Sequence, residues 1–208
     1  LEHLVASPAA PGIHGALPRP ATRFFGRERE LEAVGAALRE SRLVTIAGPG
    51  GSGKTRLAIE LVSRALIVEK FAGGPVGLDT IAPDGDVASL AAAAFGMADA
   101  AEPLDAVVEH LGSAPAVLVL DNCEHVLQGA SLFVSQLLGR CPGVKVLATC
   151  RQPLPLALGQ TFWLTPFPDG DHKASLLFLD RAKRAGWSPV DTDAPVISGL
   201  CSRLDGLP

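Results

Sequence analysis

Residues 46–55 read IAGPGGSGKT, four glycines and a proline around one lysine and one threonine. Gly48 to Thr55 satisfy G-x-x-x-x-G-K-[ST] in full, a spacing suited to holding a chain of phosphates. Glycine reaches positive φ at no steric cost, so successive N–H groups can turn inward and form an anion nest. A helix starting at the end of the loop adds its unpaired N–H groups and positive dipole end. Lys54 would reach the β- and γ-phosphates as a point charge, and the Thr55 hydroxyl would ligate Mg2+. Along the loop the expected nucleotide-binding set is Pro49, Gly50, Gly51, Ser52, Gly53, Lys54, Thr55 and Arg56.

A second chemical position closes the apolar run VLVLDN, which ends in Asp121. An acid at the carboxyl end of a buried strand stands where ligands bind in open α/β folds, and it can hold magnesium directly or through water. The competing reading is a cap for the helix that starts near Glu124. Many phosphate-loop ATPases carry a second acid directly after this Asp to polarise water. Here the position is Asn122, which cannot take up a proton as a base. Glu124 either substitutes for that base or supplies first-turn helix charge. Any hydrolysis is therefore expected to be slow.

A third position is Arg151, at the end of VKVLATCR. Its fork could read a γ-phosphate and separate ATP from ADP; the alternative is a surface arginine at a strand end. His110 and His125 have no nucleophile or ligand partner near them in sequence and read as structural. Trp163 and Trp187 read as packing residues of the core or a helical annex, and Asp79 as a partner for local backbone donors.

These groups need elements to position them. RERELEAVGAALRES puts Leu31, Val34 and Leu38 on one stripe, predicting a helix over 28–40. RLVTIAG predicts a buried strand over 43–47 that runs straight into the glycine loop, and TRLAIELVSRALIVE the helix after it, with Leu57, Leu61 and Ala65 facing the core. A strand is expected over 76–81, then helices in DVASLAAAAFGM and in PLDAVVEHLGS, the latter entered through Pro103. AVLVLDN and VKVLATCR are strands flanking the helix HVLQGASLFVSQLLGRC. QTFWLTPF ends the series as a short strand, and helices follow near 173–185 and 194–204. Apolar strands alternating with helices mean a parallel sheet covered on both faces. The expected fold is a three-layer α/β P-loop NTPase domain over 23–166, preceded by a Pro/Ala/Gly-rich linker over 1–22 and followed by the start of a small helical domain over 167–208.

Composition bounds the rest. The chain has 208 residues, 48% of them hydrophobic, enough for one compact core and an annex. With 18 Lys and Arg against 22 Asp and Glu, its net charge of −4 exerts no general pull toward nucleic acid or anionic membranes. No apolar run reaches the roughly 18 residues of a membrane span. Cys123, Cys141, Cys150 and Cys201 lack metal-ligand spacing and read as reduced thiols in a cytoplasmic protein. The first residue is not Met and the chain stops at LDGLP, as expected of a piece of a longer protein.

With those residues in place, the chain resembles the STAND class of signalling ATPases, in its NB-ARC or apoptotic-ATPase branch. It is most similar to the nucleotide-binding modules of large bacterial regulators of the antibiotic-regulatory and LuxR types. The resemblance is carried collinearly by RFFGRERELEAV, GPGGSGKTRLA, VLVLDNCEHVL, LATCRQPL, FWLTPF and LCSRLDGLP. It implies that Phe25, Gly26 and Arg27 line the adenine pocket, that Asp121 is the magnesium acid and that Arg151 senses the γ-phosphate. It also implies that Pro208 of Gly206-Leu207-Pro208 lies against the base, and that the Arg151 strand sits between the loop strand and the Asp121 strand. Asn122 departs from the family's common second acid, and the winged-helix domain that follows in relatives is not in this sequence.

The function expected from this reading is an ATP/ADP-binding switch using Mg2+, a slow ATPase controlling conformation and self-assembly in a transcriptional regulator. Winged-helix, DNA-binding and repeat domains of the same polypeptide would be its partners, with no direct nucleic-acid or membrane contact from this part. A non-hydrolysing scaffold that keeps ADP and a small-molecule kinase remain the alternatives.

Overall fold

The computed structural model describes residues 22–69, 75–78, 81–82, 85–168, 172–187, 190 and 193–204, with the backbone alone at 65–69 and 75. In chain order the elements are α1 (Glu28–Glu40), β1 (Leu43–Ala47), α2 (Lys54–Glu69), β2 (Pro75–Gly77), α3 (Val87–Ala94), α4 (Pro103–Leu111), β3 (Ala116–Asp121), a 3-10 turn (Cys123–His125), α5 (Leu127–Arg140), β4 (Val144–Cys150), β5 (Gln160–Trp163), α6 (His172–Arg184) and α7 (Ala194–Arg203).

The five strands form one sheet in the order β2-β3-β4-β1-β5, and every neighbouring pair is parallel. β4 therefore lies between β1 and β3, as the resemblance implied. Parallel pairing forces each crossover over a face of the sheet, which buries both faces. β3 shows the consequence residue by residue. Leu118 and Leu120 join the cluster built with α3, α4 and α5, while Val117 and Val119 join the one built with α1 and α2. All four are at most 1% exposed, and each such side chain contributes about 1.5–3 kcal/mol by leaving water.

Local signals set the helix ends. Pro103 occupies the first turn of α4, and Gly112 at φ 55° ends it. The Asp86 carboxylate accepts the Ala88 and Ser89 N–H groups at 3.0 and 3.2 Å and caps α3. On α1, Leu31, Val34 and Leu38 are buried, as are Leu57 and Leu61 on α2; Ala65 is among the residues of which only backbone is described.

Two expectations are corrected. The second strand is Pro75–Gly77, not 76–81: Leu78 N–H still donates to Asp121 O at 2.9 Å, but neither Leu78 nor Ile81 is strand; residues 79–80, including Asp79, are outside the described residues. Trp163 is not a core residue. It closes the edge strand β5 and is 59% exposed, as a side chain at the rim of a sheet can be without loss of the core. Trp187 packs edge-on against Phe178 of α6, with ring centroids 6.0 Å apart, yet keeps 44% of its surface exposed. His110 stacks on Phe95 at 5.0 Å, a packing role.

Candidate functional site

The glycine loop leaves β1 at Ala47 and enters α2 at Lys54. Gly51 and Gly53 take φ values of 75° and 92°, which a side chain would resist. Gly48 is fixed by space instead: a Cβ there would stand 2.3 Å from Leu164 O. Its N–H donates to Cys150 O at 3.2 Å, tying the loop to the end of β4. Lys54 is buried, and its ammonium donates to Gly48 O and Pro49 O at 3.0 and 2.8 Å. No acidic side chain stands in the first turn of α2, so the positive end of that helix is left for a ligand.

The sheet order delivers the other groups to the same edge. The Thr55 hydroxyl donates to Asp121 Oδ1 at 2.8 Å, joining α2 to the end of β3 across 66 residues of chain. Thr149, 1% exposed on β4, donates its hydroxyl proton to the same oxygen and accepts the Asn122 N–H at 3.0 Å. Asp121 is thus not a helix cap; its carboxylate faces two hydroxyls beside the loop. Asn122 is left-handed at φ 68°, the one non-glycine residue with positive φ among the described residues. Its carboxamide faces both Glu124 oxygens, and turned with its nitrogen toward them, the orientation that satisfies both groups, it donates at 2.9 and 3.3 Å. Arg151 follows β4 and pairs through Nε with Glu124 Oε1 at 3.1 Å. Its Nη2 lies 3.8 Å from the place a Cβ on Gly50 would take, so the guanidinium lies beside the loop.

A cavity of about 290 Å³ opens next to the loop, with Gly51, Ser52, Gly53 and Arg56 on one side and Phe25, Arg27 and Phe167 on the other; Leu177 and Arg181 of α6 complete it. Phe25 and Arg27, expected from the resemblance to line an adenine pocket, line this cavity. Gly26, at φ 73°, is backbone packing rather than lining: a Cβ there would stand 3.0 Å from Lys173 Cβ and 3.2 Å from the Phe167 ring. The Arg27 guanidinium is committed to Glu30 at 2.8 Å, Thr165 O at 2.7 Å and the face of Phe167 at 4.0 Å. Arg56 is held by Glu60 and Thr22 O, both at 2.9 Å. Both arginines build the wall and are already hydrogen-bonded. Gly206, Leu207 and Pro208 lie outside the described residues.

Two observations test whether this setting fits a nucleotide and magnesium. Ser52 Oγ is fully buried and has no hydrogen-bond partner, an orphan polar atom inside the loop. Among the described residues no cluster of three or more His, Cys, Asp or Glu side chains could hold a metal. The Thr55 hydroxyl and the Asp121 carboxylate are hard oxygen donors 2.8 Å apart, a pair that could serve Mg2+ with phosphate oxygens and water in its other positions. The set fits. The thiols stand apart from this chemistry. Cys123, Cys141 and Cys150 are free and buried, and burial pushes each thiol above its ordinary range, most strongly at Cys123 with Cys150, Asp121 and Glu124 beside it.

Sequence reasoning did not find Thr149, Phe167, Leu177 or Arg181, and it offered Glu124 only as a base or a helix-turn charge. Thr149 is visible as the polar residue interrupting VLATCR, but its partner depends on the register of β4 against β3.

Comparison with known proteins places the chain. Residues 12–155 match the family described as Novel STAND NTPase 1. Over 177 residues the chain is 38% identical to "Putative HTH-type transcriptional regulator Rv0890c" of Mycobacterium tuberculosis, covering 83% of this chain and 20% of that protein. Over 210 residues it is 33% identical to "Uncharacterized protein Rv0894" of the same organism, covering 98% of this chain and 53% of the relative. The chain thus spans between a fifth and about half the length of these relatives. Among solved structures, the Walker-type ATPase PABY2304 of Pyrococcus abyssi superposes with a TM-score of 0.59 at 16% identity, over 91% of this chain and 67% of that one. The STAND protein PH0952 of Pyrococcus horikoshii, which carries a tetratricopeptide repeat sensor, gives 0.55 at 21% identity, over 96% of this chain and 30% of that one. Both likenesses are of fold. The α/β architecture is that of P-loop ATPases, and the chain belongs to the STAND NTPases, in the family Novel STAND NTPase 1.

Proposed function

We propose that this chain is the ATP/ADP switch of a signal-responsive transcriptional regulator, binding the nucleotide with Mg2+ and hydrolysing it slowly. The observation that carries the reading is the 2.8 Å bond from Thr55 to Asp121, which unites the two expected magnesium ligands at the mouth of the glycine loop. The orphan Ser52 hydroxyl and the acid-free first turn of α2 support an anion there. Bound Mg2+ would neutralise phosphate charge. Lys54 would exchange the Gly48 and Pro49 carbonyls for phosphate oxygens, and Phe25, with the wall built by Arg27 and Arg56, would hold the base. Leu177 and Arg181 line the same cavity as the loop. That supports a nucleotide clasped between a domain over 23–166 and a helical annex beginning at 167, with 1–22 as linker and Pro208 as the family's base-contacting proline.

Hydrolysis is slow in this reading because Asn122 cannot act as a base and Glu124 is tied to Asn122 and Arg151. The same observation favours a second reading, a scaffold that retains ADP without turnover. By analogy with the HTH-type regulator named above a DNA-binding domain, and by the family resemblance winged-helix and repeat domains, elsewhere in the polypeptide would read the switch, through conformation and self-assembly in the cytoplasm. Chromatography of co-purified nucleotide, followed by phosphate release without any added acceptor, tests the assignment. Release supports the switch, retained ADP without release supports the scaffold, and strict dependence on an acceptor points to a kinase. Lys54→Ala should weaken nucleotide binding at least about tenfold, from lost charge-assisted bonds; unchanged affinity by calorimetry refutes the site.

A further inference from the structure

Glu124 has no part in binding phosphate or metal in the reading above, yet it is a well-anchored acid near the loop. Its side chain is 13% exposed, whereas its partner Arg151 is 66% exposed. Asn122 donates to both of its oxygens, and the left-handed backbone of Asn122 turns the chain into the short turn that carries Glu124. Thr149 in turn fixes Asn122 by accepting its N–H. The result is a chain of support running from β4 through the turn to a fixed carboxylate. The exposed guanidinium is the partner that can leave.

The position of Arg151 gives the pairing a consequence. Only Nε engages Glu124 Oε1, while Nη2 lies against Gly50 on the glycine loop. Oε1 accepts from Arg151 and faces the Asn122 carboxamide as well, so the carboxylate as it stands holds the guanidinium.

We propose that Glu124 is a positioning residue for Arg151: its carboxylate docks the guanidinium beside the loop, a terminal phosphate must displace it, and Glu124 thereby sets the preference of the site between ATP and ADP. The inference rests on the nucleotide-switch reading and deepens it. ADP lacks the phosphate that competes for the arginine, so Glu124 favours ADP. Exposed ion pairs shift equilibria by about 1.5- to 5-fold, which bounds the effect.

The test is a double-mutant cycle on the full chain, with calorimetry of ADP and of a non-hydrolysable ATP analogue in the presence of Mg2+. Glu124→Gln should raise the analogue-to-ADP affinity ratio about two- to fivefold, and in an Arg151→Ala background it should leave the ratio unmoved. Asn122→Gly keeps the left-handed backbone while removing the amide donor, and should shift the ratio the same way by a smaller factor. A merely structural role would change both nucleotides alike. Equal effects on both nucleotides, the same shift without Arg151, or loss of phosphate release at a constant ratio would each overturn the proposal while sparing the switch. A parent chain that binds neither nucleotide overturns both.

Discussion

Thr149→Val isolates the hydroxyl on which the site's geometry depends. The substitution preserves shape at a position 1% exposed and removes one oxygen that serves two partners. Asn122 N–H loses its 3.0 Å acceptor, and the Asp121 carboxylate loses a donor while keeping Thr55 at 2.8 Å. An unsatisfied donor costs about 1–3 kcal/mol when fully buried and less at the half-buried Asn122, and a hydrogen bond to a charged group is worth about 1.5–3 kcal/mol. The two effects share one atom and do not add in full, so a net loss of about 2–3 kcal/mol is expected. For a chain of this size, where each kcal/mol moves Tm by about 2–4 °C, that is roughly 5–10 °C. Thr149→Ser is the control: it keeps the hydroxyl and loses a buried methyl, for about 1 kcal/mol. Urea and thermal melts of the three chains decide. Val melting with the parent, or Ser less stable than Val, would refute the reasoning, because packing rather than hydrogen bonding would then govern the position.

Gly48→Ala should cost at least about 2 kcal/mol in urea denaturation, since the new methyl would sit 2.3 Å from Leu164 O and must push the ends of β1 and β5 apart; parental stability would refute that close approach. Alkaline stability follows from the thiols. Cys123, Cys141 and Cys150 hold their protons above the ordinary value of 9.0 when folded. Below about pH 9 both states are protonated and stability is intact. Above it the unfolded chain releases protons that the folded chain keeps, so stability falls by up to about 1.4 kcal/mol per pH unit for each thiol. The chain contains no tyrosine to confuse the readout, and urea midpoints that do not fall between pH 8 and pH 10 would contradict the assignment.

How much of this was legible depends on whether a signal is local. α1 and β1 fall at their expected bounds, because an amphipathic stripe and an unbroken apolar run are written in consecutive residues. The glycine loop is legible for the same reason. Trp163 misled because a large apolar ring predicts burial only if a second layer covers it, and edge position is a property of the sheet order. The Glu124–Arg151 pair spans 27 residues and the Thr149–Asp121 pair 28. Neither distance follows from a spacing in sequence; both follow from β4 lying beside β3.

That adjacency raises the question of what fixes the register. Apart from Asp121, Lys145 and Thr149 near their ends, β3 and β4 are apolar on both faces, so the hydrophobic pattern by itself specifies register weakly. Polar clamps at the two ends of β4 supply what the pattern lacks. At its start, Arg42 donates to the carbonyls of Val144, Leu138 and Cys141, and Lys145 donates to Leu38 O and Arg39 O at the end of α1. At its finish, one step beyond the pair Leu120–Ala148, Thr149 meets Asp121 and the Asn122 N–H. A slip of one residue between β3 and β4 would strand the Thr149 hydroxyl and the Asn122 N–H and carry Arg151 away from Glu124. The groups that hold the strand in place at its carboxyl end are therefore also the groups that shape the candidate site, and a buried parallel sheet leaves few other places to put them.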